Sequence, residues 1–364
     1  MADPYATAPL ELDKQSFRLI NLCLDEASGI IKCTLRTHLG RSHPSYTAVS
    51  YAWGPDEIYN DIEVNDVRFP VRKNLWDFLS QMRSSRYDGP LWIDAICIQQ
   101  DKVQELNHQV QMMRKIYGSA KSVTIWLGAA TYQTDLTMCR ISRGPLPWAS
   151  GTVPGEKWTP AQAQGALQLC ERSYWRRMWI IQEIVLAKEA YVHCGSETVE
   201  WSKFVQMFED VRHQGLQETL RASSGIHKAG ERQTPCLTEV LGSPAQAIVQ
   251  MKSLLEPNPR PLRDLIRWCA RQEATKPQDK VYALLGIASD GDDIVVDYDK
   301  SLEDLQLELD PHGIAFDDWW QALPDPGHRV DIVNIFDLFT GSSSSKPHDA
   351  WVRQLLKCLQ LSLE

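Results

Sequence analysis

The sequence predicts an α/β fold: a mostly parallel sheet flanked by helices, with β elements at the N-terminus and a mainly helical C-terminal extension. Three observations predict it. Residues 16–71 carry period-two apolar alternation broken by turn residues. From Leu91 onward, apolar runs alternate with a helical pattern in the order β-α-β-α-β, which calls for a parallel sheet with helices on its faces. Beyond residue 201 the readable periods are mainly helical.

Phe17, Leu19, Ile20 and Leu22, then Ile31, Cys33 and Leu35, read as a strand pair with 25–29 as its turn. Tyr46 to Trp53 is β-branched and aromatic and stops at Gly54-Pro55, a strand signal. Ile62–Val64 and Val67–Val71 form a hairpin whose turn residues, Asn65 and Asp66, tolerate positive φ. Asn74 to Met82 is a short helix facing inward with Leu75, Phe78 and Leu79. Leu91 to Ile98 is an almost unbroken apolar run, suited to a strand buried on both faces. Asp101 with Gln104 reads as a helix N-cap and capping box, followed by Val103, Leu106, Val110, Met113 and Tyr117 at spacings of three and four, and Gly118 closes that helix. Ser122 to Leu127 is a strand ended by Gly128. Residues 141–160, rich in Pro, Gly, Ser and Thr, are an irregular insertion. A helix over 161–187, broken near Ser173, precedes a strand at Tyr191–Cys194. Residues 213–245 read as a polar boundary loop. Leu262–Ala270 and Lys280–Leu285 are helical, with Gly286 as a cap, and Ile294–Val296 is a short strand. The implied division is an N-terminal lead-in (1–45), a main domain (46–200), a mainly helical extension (201–340), and a Ser-rich linker with a last helix (341–364).

The 364 residues are 43% hydrophobic with a net charge of −9, enough for a full core and opposed to a nucleic-acid or anionic-membrane footprint. No apolar stretch is long enough to span a bilayer, at about 18 residues. Residues 1–10 lack the basic start and apolar core of a secretory signal. Nine cysteines are scattered without a C-x-x-C pair, and no N-x-S/T sequon occurs, so a reducing compartment and a cytoplasmic location are expected. Thirteen tryptophans are first core and interface residues, with ring stacking open for one or two.

The motifs resemble those of the fungal heterokaryon-incompatibility (HET) domain family. Thr47-Ala48-Val49-Ser50-Tyr51-Ala52-Trp53-Gly54 is similar to its "LSY-x-WG" opening, and Asn74-Leu75 to its "N-L" helix. Leu91 to Asp101 resembles "WIDxxCIxQ-D". Glu105, Gln109-Val110, Met113 and Ile116-Tyr117-Gly118-Ser119-Ala120 resemble its next block, with Leu106 where the family commonly has Arg. Ile125 to Gly128 and the Trp175–Glu183 stretch, "W-x-RxW-xx-QE", follow in order. The family is itself similar to Toll/interleukin-receptor (TIR) domains. That likeness implies a TIR-like sheet, the Ser50-Tyr51 element at a strand end, and a Trp179–Glu183 pair spaced like the segment that carries the catalytic Glu of NAD-cleaving members. Ile180 stands where those have Cys. The resemblance implies a cell-death effector of nonself recognition, with an unknown sensor or incompatibility protein as partner and self-association as a further route to signalling.

Such a site needs no bound cofactor, with NAD as substrate. Glu183 would be the catalytic carboxylate, stabilising an oxocarbenium-like transition state. Ser50, Tyr51, Trp53, Gly54, Asp94 and Trp179 would line the substrate site at the strand ends, Trp53 or Trp179 stacking on a ring. Bland readings stand beside these. For Glu183 the bland reading, a surface carboxylate paired with Arg176, Arg177 or Lys188, is the stronger of the two, and for Asp94 a cap on the following turn weighs the same as a site role. Arg172, Arg176 and Arg177 read as a solvated helix face. Cys97 with His108 is a poor nucleophile–base pair, His193-Cys194 lacks partners for a metal, and no phosphate-binding glycine motif occurs.

Overall fold

In the computed structural model, which describes residues 3–24, 29–40, 42–56, 59–143, 157–223, 235–256 and 258–315, the alternation of residues 16–39 becomes an antiparallel pair. Strand β1 (Ser16–Leu22) lies against β2 (Lys32–Leu39) with Ile20 opposite Leu35. Residues 25–28 of the expected turn lie outside the described residues. Strand β3 (Thr47–Tyr51) is buried along its whole length. Strands β4 (Tyr59–Val64) and β5 (Val67–Arg72) form the expected hairpin. Asn65 and Asp66 adopt φ of 50° and 62°, the double positive φ of a two-residue turn. Helix α1 (Lys73–Ser84) then buries Leu75, Phe78, Leu79 and Met82.

The apolar run from Leu91 does not stay extended. Only β6 (Leu91–Trp92) joins the sheet, and the chain turns at once into a single helical turn, α2 (Asp94–Cys97). A continuous apolar run does not by itself separate a buried strand from a buried turn of helix. Helix α3 (Val103–Ser119) starts two residues later than Asp101, its N-cap being Lys102 without a side-chain cap bond. The capping box is therefore not formed, and Gly118 lies inside the helix. Strand β7 (Ser122–Trp126) follows as expected, and then helix α4 (Tyr132–Arg143), which the sequence reading did not anticipate. Most of the expected insertion, 144–156, lies outside the described residues.

Helix α5 (Pro160–Cys170) opens with a complete capping box between Thr159 and Gln162 and with Pro160 in its first turn. It crosses α4 so closely that a Cβ on Gly165 would stand 2.1 Å from the Gln133 carbonyl oxygen. A 3-10 turn at Ser173–Arg176 breaks the expected long helix, and helix α6 (Ile180–Val185) carries the rest. Strands β8 (Ala190–Cys194) and β9 (Glu197–Glu200) complete the sheet. Helix α7 (Trp201–Ser223) runs into the stretch expected to be loop. Helices α8 (Pro235–Val240), α9 (Pro244–Leu255), α10 (Leu262–Trp268), α11 (Asp279–Leu285) and α12 (Leu302–Leu309) follow. Residues 294–296 form no strand. The linker and helix expected after residue 341 lie outside the described residues.

The described strands make one nine-stranded sheet in the order β5-β4-β2-β1-β6-β3-β7-β8-β9. It is mixed rather than mostly parallel. Four pairings are parallel, β2–β4, β3–β6, β3–β7 and β7–β8, and four are antiparallel. The correction comes from the N-terminal strands and β9, which join the parallel centre instead of standing apart. Both outer strands carry edge-blunting residues. On β5, Pro70 stands opposite Asp61. Counting from the two-residue turn, that is a position whose N–H would point away from β4, where Pro costs no ladder bond. On β9, Glu197 and Glu200 stand at the other edge. Among the described residues, no helix is long and apolar enough to cross a membrane.

One buried ion pair fixes the turn after β6. Arg18 on β1 is 1% exposed and meets Glu105 on α3 through two bonds of 2.6 and 2.9 Å. Arg18 also donates to the carbonyls of Ala8 and Cys97, at 2.6 and 3.0 Å. Glu105 accepts the Gln99 backbone N–H at 2.6 Å. The pair thus gathers β1, α3, the N-terminal segment and residues 97–99. Removing one partner of a buried pair strands the other charge. Glu105→Ala is expected to lower the unfolding free energy by about 3–5 kcal/mol in urea titration; a loss below about 1 kcal/mol would show the pair to be idle.

Candidate functional site

Strand β3 alternates its side chains across the sheet, so Ser50 and Tyr51 leave its C-terminal end on opposite faces. Ser50 Oγ stands 2.6 Å from the Tyr174 hydroxyl and donates a short bond to Glu183 Oε2. The Tyr117 hydroxyl donates to the Val49 carbonyl at 3.2 Å and lies close enough to Glu183 to help hold its carboxyl down. Arg177, just after the 3-10 turn, donates to the Tyr51 carbonyl and stands between Glu183 and Asp94 in electrostatic reach of both. The site is therefore assembled from β3, α2, α3 and the 174–183 stretch, at the C-terminal ends of the parallel strands β3 and β6, where open α/β sheets bind ligands.

Asp94 is the first residue of α2 and does not cap it; its Oδ1 accepts the N–H of the next residue, Ala95, at 2.7 Å. Its Oδ2 accepts the Trp53 indole N–H at 2.8 Å, and the Tyr51 hydroxyl reaches it too. Gly54 has φ of 77°, which favours glycine, and its carbonyl accepts from Arg72 at 2.9 Å. Arg72 also lies over the Trp53 ring, 5.3 Å from its centroid. Beside these residues a pocket of about 140 Å³ is walled by Tyr51, Trp53, Phe69, Leu75, Arg72 and Gln100, among others. Whole-ligand pockets run to about 300–1,000 Å³, so this one has room for a single ring.

Glu183 is not a surface carboxylate. It is 2% exposed. Burial pushes its carboxyl up to about 7, against the pull of Arg177, Ser50 and Tyr117, with Asp94 adding to the rise. Burial also raises Asp94, with Arg177 and Trp53 opposing. Burial works against the Arg177 charge, but Glu183 and Asp94 overcome it and hold the guanidinium above its ordinary value. A carboxyl titrating near neutrality is suited to hold or release a proton in a reaction.

Other expectations separate. Trp179 and Glu183 share a helical turn, but the Trp179 indole N–H bonds Asp279. The three arginines form no shared patch. Arg172 donates to the Leu127 and Ala129 carbonyls, at 3.0 and 2.8 Å, Arg176 pairs with Glu171 at 2.6 Å, and Arg177 enters the cluster. Cys97 and His108 do not meet. Burial pushes the Cys97 thiol up to about 12, and His108 bonds the Lys14 carbonyl and Gln109. Among the described residues no group of His, Cys, Asp and Glu could hold a metal ion. Sequence reasoning missed Tyr117, Tyr174 and Asn74. Asn74 donates to the Ala52 carbonyl at 2.6 Å and accepts from the Trp126 indole at 3.0 Å, joining the ends of β3 and β7. Its "N-L" motif was the available signal.

The raised Glu183 carboxyl has a linkage consequence. Between the ordinary Glu value, about 4.3, and about 7, the folded chain keeps a proton that the unfolded chain has lost. Stability from this group is therefore present at low pH and falls as pH rises through that window. The unfolding free energy of the wild type relative to Glu183→Gln is expected to drop by on the order of 2–3 kcal/mol from pH 4.5 to 7.5. Urea unfolding of both proteins across pH measures it, and a difference flat in pH would contradict the burial argument.

Two comparisons with known proteins bear on the region that holds these residues. Residues 46–183 match the family model for heterokaryon incompatibility protein (HET), a span that runs from just before β3 to Glu183 itself. The chain is 28% identical over 305 residues to heterokaryon incompatibility protein 6, OR allele, of Neurospora crassa, an alignment covering 69% of this chain and 44% of that protein. The chain thus spans less than half the length of that relative. No solved structure matches.

Proposed function

We propose that this chain, whose residues 46–183 belong to the heterokaryon incompatibility (HET) family, is an effector of fungal nonself recognition that kills incompatible cells by cleaving NAD at the Ser50–Glu183 cluster. The single observation that carries the reading is Glu183 itself, a carboxyl raised to about 7 and bonded to Ser50 at the C-terminal ends of β3 and β6. Cleaving the N-glycosidic bond of NAD builds positive charge on the ribose. An ionised Glu183 stabilises that charge, nicotinamide leaves with the bond's electron pair without strong acid help, and water adds to the ribose carbon and gives up a proton, leaving ADP-ribose. The small pocket lined by Tyr51, Trp53 and Ala95, though not by Ser50 or Glu183, would let a flat ring stack on the Trp53 indole. With Glu183 only 2% exposed, turnover requires the 174–183 stretch to move away from β3, which makes activity conditional on a trigger. The trigger would come from a sensor or incompatibility protein, or from self-association, in the cytoplasm.

A second reading has its own support in the same burial. Glu183 already has Arg177, Ser50 and Tyr117 as partners, as a purely structural carboxylate would. In that reading the domain signals through contacts without chemistry.

The two readings diverge in one pair of measurements. Wild-type protein, concentrated until it self-associates and incubated with NAD, is expected to release nicotinamide, and Glu183→Gln in the same state to slow release by at least about 100-fold, within the range for losing an electrostatic stabiliser. Induced expression in a fungal host is expected to arrest growth with the wild type and not with Glu183→Gln. Arrest that survives the substitution, with no nicotinamide released by either protein, establishes the contact reading instead.

A further inference from the structure

We infer that the extension beyond the family-matched region is a working part of the site: Lys252, Glu273, Asp279 and Gly286 position the helix that carries Glu183. The inference rests on the role given above to Glu183 and adds the elements that hold it.

The match to the family model ends at Glu183, one residue past the midpoint of α6. A six-residue helix has little stability of its own, because isolated helices shorter than about 12–15 residues are marginal. Its place must come from outside contacts, and four come from the extension. At its entrance, the Met178 N–H bonds the Glu273 carbonyl at 2.8 Å, and the Glu273 N–H returns to the Arg176 carbonyl at 2.5 Å. This bridge flanks Arg177 on both sides, so it sets the guanidinium as well. At the first residue before α6, the Trp179 indole N–H goes to Asp279, which Tyr298 also holds at 2.7 Å. In mid-helix, Gln182 Oε1 accepts the Gly286 N–H at 3.3 Å. A Cβ on Gly286 would lie 2.7 Å from that oxygen and 3.0 Å from Arg114 Cβ, so only glycine leaves Gln182 its place. At the exit, Lys252 Nζ caps the Ile184 carbonyl at 2.8 Å and the Val185 carbonyl at 3.5 Å, with Glu256 beside it at 2.7 Å.

Gln182 and Glu183 point to different sides of α6, one to the extension and one to β3. The helix is therefore a lever gripped from behind by residues 252–298, with its front residue pressed against Ser50. Moving the grip moves the carboxyl relative to every group that faces it: Ser50, Tyr51, Asp94, Tyr117, Tyr174 and Arg177.

The test uses the full chain and reads Glu183 directly. Carbon-13 labelling of glutamate side chains, with the Glu183 signal assigned by its absence in Glu183→Gln, follows its titration by NMR. Gly286→Ala pushes Gln182 aside, and Lys252→Met removes the exit cap. Either is expected to lower the Glu183 midpoint from about 7 by about half a unit or more, as a displaced helix lets water reach the carboxyl. Lys300→Met, which breaks the ion pair with Glu308 away from α6, is expected to leave it in place. If Gly286→Ala does not fold, Lys252→Met decides. Clamp variants that fold and titrate within about 0.2 unit of wild type, or a Lys300→Met shift as large as theirs, would overturn the inference. If the wild type releases no nicotinamide, the NAD reading falls while the titration still decides whether the extension positions Glu183. If it does release nicotinamide, the clamp variants are expected to lose turnover about tenfold at unchanged KM, the pattern of a misplaced group rather than lost binding.

Discussion

One guanidinium serves two carboxyl groups. Arg177 lies within electrostatic reach of both Asp94 and Glu183, and a buried carboxylate without such a partner costs several kcal/mol. A single positive charge balances one of the two acids, not both, and like charges in one site disfavour double ionisation. Burial first, and the neighbouring Asp94 in lesser measure, pushes the Glu183 carboxyl up to about 7, which favours its protonated form. Around this arrangement the surrounding hydrogen bonds make sense. Ser50 and Tyr117 serve Glu183, Trp53 and Tyr51 serve Asp94, and Arg177 spends a remaining N–H on the Tyr51 carbonyl.

The local features were the ones most legible in the sequence. The Asn65-Asp66 turn and the strands around it follow from backbone chemistry confined to a few residues, and they form as expected. The same is true of the β1–β2 alternation. Features decided by distant groups were not legible. Nothing within Leu91–Ile98 says that the chain bends after Trp92. The bend is fixed by Arg18 and Glu105, far away in sequence, which bind residues 97 and 99. Asp101 has the right chemistry for a cap, but α3 starts after Lys102 with no side-chain cap, while Glu105 in its first turn is bonded to Arg18 and Gln99. The direction of the sheet was misjudged because the period of a strand carries no information about which neighbour it pairs with.

In the site, the family resemblance pointed to Ser50, Tyr51, Trp53 and Glu183, and position in an apolar run pointed to Asp94; Ser50 bonds Glu183, and Trp53 bonds Asp94. Trp179 and Glu183 do share a helical turn, as their spacing implied, although each side chain has its own neighbours. The counter-charge escaped because Arg176 and Arg177 look alike in sequence. Only the 3-10 turn at Ser173–Arg176 sends one outward to Glu171 and the other inward. Asn74 and Arg172 escaped for a related reason. Each acts on backbone carbonyls, Ala52 for one and Leu127 and Ala129 for the other, and such acceptors leave no trace in side-chain patterns.

The outer strands of the sheet carry a further consequence. At one edge Pro70 removes a donor that a new strand would need, and Arg68 and Arg72 flank it on the same strand. At the other edge Glu197 and Glu200 place negative charge beside the open ladder. A nine-stranded sheet is a ready template for runaway stacking of chains, and these residues make strand addition costly at both ends. Any contact between copies of this chain would then be directed to its helical surfaces and not to growth of the sheet, which does not readily reverse.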